Sequence, residues 1–118
     1  MKPYEEKRKH PRIDSLNLLS FLVKDENEDI VMQGVGRTLN VSAGGILLET
    51  HVPLDPKHTV SLFIALEDDL VDVKGRIIHT RQGEAGKYNT GIAFAEPDEP
   101  TARILKKFIE VFQKKPQV

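Results

Sequence analysis

The segment "LNVSAGGILLE", residues 39–49, passes from an apolar run through a polar, glycine-containing corner and back into an apolar run. Paired glycines oppose a helix, and short Asn and Ser side chains favour a turn. The segment therefore reads as the end of one strand, a turn, and the start of the next. Working upstream, "IVMQGVGRTLNVS" places Val31, Val35 and Leu39 on one side of an extended chain, with Gly34 and Gly36 marking an expected bulge or tight bend. Before it, "LNLLSFLVK", residues 16–24, has no polar helical face and ends in the charged turn "DENED". Downstream, "PLDPKH" is a turn, and "TVSLFIALE" alternates so that Val60, Leu62, Ile64 and Leu66 share one face. "LVDVKGRIIHTR" and "KYNTGIAFAE" then read as a hairpin joined by "QGEAG".

The period changes near the C-terminus. Ile104, Leu105, Phe108, Val111 and Phe112 follow the spacing of an amphipathic helix. Asp98 or Glu99, ahead of Pro100, supplies an acidic start, while Lys114, Lys115 and Pro116 suit its end. A single apolar stripe needs a partner, expected to be the open end or outer face of the preceding sheet. The whole pattern is six short strands followed by one helix. Strands of this kind in antiparallel order favour a sheet closed on itself, which leaves no exposed edge.

The bulk properties bound what such a barrel does. At 118 residues the chain suits one domain. Its longest apolar run, "VSLFIAL" at residues 60–66, is strand-sized and far from a spanning helix. No apolar h-region follows the charged start, so a cytoplasmic protein without membrane insertion is expected. The absence of cysteine excludes disulfides and thiolate chemistry. Net charge is −1, which argues against a strongly basic nucleic-acid binder, and no DNA or RNA partner is expected. The charge is nonetheless uneven. Residues 1–12 hold five Lys or Arg against two Glu, leaving the remainder at −4. An acidic body with a basic entry segment points to a local anion site.

Catalysis has no candidate. Asp68, Asp69 and Asp72 fall in a turn and strand start, where solvated charge is the ordinary explanation. His10, His51, His58 and His79 are scattered without metal-ligand spacing, and neither a nucleophile elbow nor a phosphate loop with its lysine is present. Two features carry binding chemistry. In "RKHPR", residues 8–12, Pro11 disfavours a helix, leaving a lead-in whose Arg8 and Arg12 can grip phosphate oxygens or a guanine edge. In "NVSAGG", Asn40 and Ser42 offer short donors and acceptors, while Gly44 and Gly45 permit unusual dihedrals and bare backbone N–H groups. Taken singly, the first reads better as a solvated basic tail and the second as a polar β-turn.

Together, RxxxR and NxSxxG about thirty residues later resemble the PilZ domain family, over nearly the whole chain from about Lys7 to Phe112. The late "VKGRIIHTR…GIAFAE" is similar to that family's last hairpin. The resemblance implies a mainly β fold, a six-stranded antiparallel, split-barrel-like β-barrel with a C-terminal α-helix. It divides the chain into a lead-in at 1–13, barrel and helix at 14–113, and a short tail at 114–118. It implies a receptor for cyclic di-GMP, with no other cofactor, acting by binding rather than turnover. Arg8 and Arg12 become the clamp, Asn40 and Ser42 the readers of guanine or nearby ligand atoms, and Gly45 the residue that keeps the turn open. Lys7, Lys9, Gly44 and His79 are weaker candidates, the lysines as local positive potential and His79 as a stacking ring. A downstream protein partner is implied, in motility, exopolysaccharide or regulatory machinery. An adaptor that keeps the fold but not the nucleotide is the alternative, and a barrel binding single-stranded nucleic acid a third reading.

Overall fold

A computed structural model describes residues 18–66 and 68–114. Among the described residues six strands precede one helix: β1 (Leu18–Lys24), β2 (Ile30–Val41), β3 (Gly45–Thr50), β4 (Thr59–Leu66), β5 (Asp69–Gln82), β6 (Tyr88–Phe94) and α1 (Glu99–Lys114). All neighbours are antiparallel, and the order β1-β2-β3-β6-β5-β4 closes when β4 pairs with β1. The six-stranded antiparallel barrel with a C-terminal helix is thus the architecture expected from the alternation and the final change of period.

Alternation builds the core. Leu19, Phe21 and Val23 of β1, Val60, Leu62 and Ile64 of β4, and Val73 and Ile77 of β5 all point inward and are buried. The β3–β4 connection adds Leu54, which lies 1% exposed within a stretch that reads as a polar turn. Asp55 shapes that turn by accepting a hydrogen bond from the Lys57 amide through its carboxylate. A small polar group also sits inside the wall, where the Thr80 and Thr90 hydroxyls lie 3.0 Å apart.

The inward set on β2 differs from the apolar set. Val31 and Val35 face solvent, at 47% and 52% exposure, whereas Gly36 and Thr38 face the core. The expected bulge is not at Gly34 or Gly36, which pair regularly with Phe21 and Leu19. Those glycines make room instead: a Cβ on Gly34 would meet the Phe21 ring at 3.0 Å, and one on Gly36 the Leu48 side chain at 2.7 Å. The β2–β3 ladder slips further along, between Thr38 and Asn40, so the extra residue is Leu39.

Helix α1 begins at Asp98, whose carboxylate accepts from the Thr101 amide at 2.9 Å while its carbonyl accepts from the Ala102 amide at 2.8 Å. Of the two acidic residues expected at this start, Asp98 is the cap and Glu99 the first helical residue. Leu105, Phe108 and Phe112 enter the barrel core, with Ile109 packed beside them. The stripe therefore covers an end of the barrel, against β5, β4 and β2. Gln113 pins the last turn there by donating to the Val41 carbonyl at 3.3 Å.

Candidate ligand-binding site

The site grows from two bulges. Without the Leu39 bulge, the alternation that buries Gly36 and Thr38 would carry Asn40 inward and Val41 outward. With it, Val41 is buried and Asn40 exposed. The β5–β6 ladder slips in the same way between Ile77 and His79. Ile78 is the extra residue there, 46% exposed, and His79 turns from the inward series to a half-buried position. Strands β3 and β6 run between the two bulges. Over them lies an open hollow of about 340 Å³ that takes in Asn40, Ser42, Gly44, Gly45, Ile78 and His79. Leu47 and Ala93 supply further apolar lining. The structure thus brings the sequence-predicted Asn40, Ser42, Gly44, Gly45 and His79 to one hollow, and adds Ile78 to them.

Local hydrogen bonds fix the Asn40 side chain and the corner after it. Asn40 accepts a hydrogen bond from the Val41 amide through Oδ1 at 3.0 Å, which orients its side-chain amide and leaves the nitrogen end as a donor. The Ser42 amide donates to the Gly45 carbonyl at 2.9 Å, closing the corner, and the Phe94 amide donates to the Gly44 carbonyl at 3.0 Å. The glycines have different roles from those their pairing suggests. Neither takes a left-handed φ; Gly86, in the β5–β6 turn, is the described glycine that does. Gly44 faces open space, and a Cβ there would have no neighbouring atom within 4 Å. Gly45 sits against β6 so tightly that a Cβ would overlap the Ile92 carbonyl oxygen. Gly44 therefore leaves its backbone uncovered, while Gly45 lets β3 start flush against β6.

His79 lies over Gly91, where a Cβ would come within 2.6 Å of Nε2. Its Nδ1 is buried with no hydrogen-bond partner among the described residues. Ile78 escapes a reading by residue type, because an isoleucine in a strand reads as core. The signal for it is "RIIHT", whose adjacent isoleucines cannot both face inward without a break in alternation.

Arg8, Arg12, Lys7 and Lys9 lie outside the described residues. The position at which the chain enters the barrel is defined, however. Leu18 pairs with Arg37, four residues before Val41, so β1 starts at the barrel end that carries the Ser42–Gly45 corner. No helix among the described residues is long and apolar enough to cross a membrane. No group of acidic or histidine side chains among them has metal-site geometry.

Comparison with known proteins agrees with this architecture. The solved structure of the Bacillus subtilis inhibitor of motility (MotI/DgrA) superposes with a TM-score of 0.59 at 15% identity. The match covers 86% of this chain and 49% of that one, so this chain spans about half the length of its structural relative. Among curated protein sequences nothing matches significantly. The sequence profile of the PilZ domain matches residues 6–111, which includes every strand, the helix up to Val111 and both arginine positions. PilZ domains are non-catalytic receptors. This chain belongs to the PilZ domain family.

Proposed function

We propose that the protein is a cytoplasmic receptor for cyclic di-GMP that binds the nucleotide between the Arg8/Arg12 lead-in and the hollow beside Asn40 and Ser42. The observation that carries this reading is the Leu39 bulge, which turns Asn40 out of the barrel onto the rim shared with Ser42 and bare Gly44. A guanine presents two acceptors on its Hoogsteen edge, and each phosphate stays anionic at neutral pH. Arg8 and Arg12 suit both, through a planar fork that pairs bidentately with either. Asn40 contributes the amide donor left free by its own capping bond, and Ser42 a hydroxyl. Ile78, Leu47 and Ala93 give a purine an apolar surface, and the His79 ring borders it. Lys7 and Lys9 add positive potential.

Ligand binding orders the N-terminal segment against the barrel end, and the surface so created or hidden controls a partner protein. Motility, exopolysaccharide and regulatory machinery are the partner classes that suit such a receptor. Calorimetric titration with cyclic di-GMP tests the proposal. Saturable binding is expected, and Arg8→Ala or Arg12→Ala should weaken it at least tenfold without changing the melting temperature. One bidentate contact is worth about 1–3 kcal/mol, which sets that threshold. Absence of heat would instead indicate an adaptor that works through protein contacts alone.

A further inference from the structure

A second hollow, of about 430 Å³, lies on the outer wall where β1, β4, β5 and the end of β6 meet. Its volume falls within the range of small-molecule sites. It is separate from the hollow beside Ser42, sharing with it only Ala93. A cross-strand row explains the arrangement: Gly45 pairs with Ala93, Ala93 with Arg76, Arg76 with Thr59, and Thr59 with Lys24. Arg76 is thus two strands from Gly45, roughly 10 Å at the ordinary strand spacing.

The chemistry of the lining is specific. Lys24, Lys74 and Arg76 converge there with one carboxylate, Glu28, so two positive charges are left over. Lys74 also reaches Asp72 at 3.1 Å, and Lys24 stands 4.0 Å from Glu28. Both pairs are solvent-exposed, with Glu28 at 79% and Asp72 at 42%, and exposed pairs of this kind are weak. Arg76 makes no ion pair among the described residues, which leaves its fork available. Thr59 and Ser61 bring hydroxyl groups to the same wall, and Ala93, Phe94 and Ala95 bring apolar surface.

We infer that this hollow is a second anion site, which takes a phosphate monoester carried on a compact apolar or aromatic group. Three convergent cations and two hydroxyls match the several acceptor oxygens of a phosphate better than the two of a carboxylate. A dianion balances the surplus charge, and the apolar surface takes the organic part. The proposal does not rest on the cyclic di-GMP reading, because Ser42 and Asn40 are not in its lining.

Amide-resolved NMR titration of the full chain with phenyl phosphate tests it. Saturable shifts are expected at Gly75 and Ala95. Arg76→Ala and, separately, Lys24→Gln should weaken that binding, the former at least tenfold, while Ser42→Ala leaves it unchanged. Inorganic phosphate and benzoate should each bind more weakly than phenyl phosphate. The proposal is overturned by the absence of saturable shifts at these amides, or by wild-type affinity in both charge variants. Inorganic phosphate binding as tightly would remove the organic group from the assignment, and benzoate binding as tightly would remove the phosphate; either result also overturns it.

Discussion

Gly44 and Gly45 stand side by side in the NVSAGG segment but answer to different constraints. Gly45→Ala drives a methyl group into the Ile92 backbone, which cannot move aside as a flexible side chain would. The expected cost is about 1–3 kcal/mol, read as a lower melting temperature even without ligand. Gly44→Ala meets nothing and should stay within about 0.5 kcal/mol of wild type. Equal effects of the two substitutions on the free protein would contradict this division. The motif itself is legible in the sequence because its residue types and spacing survive without coordinates. Its mechanism is not. Three successive inward positions of β2, Gly34, Gly36 and Thr38, carry no hydrophobic signal, while Val31 and Val35 on the outer face do. The alternation therefore points to the glycines for a bulge that belongs to Leu39.

The elements are held by a few identifiable interactions. Phe108, 1% exposed, carries the centre of α1 into the core, so Phe108→Ala should cost about 3–5 kcal/mol in denaturant unfolding. A much smaller loss would mean that the helix is not integral to the barrel. The β2–β3 pair carries an electrostatic clasp. Arg37 Nε donates to Glu49 at 3.1 Å, and Lys87 lies 3.9 Å from the same carboxylate. The Arg37 hydrogen bond lowers the Glu49 pKa, partial burial opposes it, and the charges of Arg37, Lys87 and His51 assist. A carboxylate whose folded pKa is lowered stabilises the fold above its unfolded pKa, and that contribution disappears as pH falls through the lowered value. With Arg37 half exposed, the effect is about 0.5–1 kcal/mol. Melting curves of wild type and Glu49→Gln should accordingly differ near neutral pH and converge in acid; a gap that persists in acid would contradict the assignment. The helix and its acidic start are readable from period and composition. Leu54 is not, because Pro53, Asp55 and Pro56 around it give the segment the composition of a solvent-facing turn.

Antiparallel order decides how the molecule works as a unit. It sets the start of β1, the Ser42–Gly45 corner and the helix at one end of the barrel, with the Asp25–Asp29 and Gly83–Lys87 turns at the other. The lead-in with Arg8 and Arg12 joins the chain at the end where Asn40 and Ser42 are exposed. Closure can be anticipated from six antiparallel strands, but the β3–β6 pairing, which brings the two bulges to opposite sides of one hollow, and the β4–β1 pairing, which closes the barrel, are long-range contacts that no local pattern encodes. Amide hydrogen exchange of the full chain, with and without saturating cyclic di-GMP, tests the proposed binding mode most directly. Protection should be gained together at residues 7–12 and 40–45, with the turns at residues 25–29 and 83–87 unchanged. Protection confined to the far turns, or no change in either motif segment, would contradict that mode.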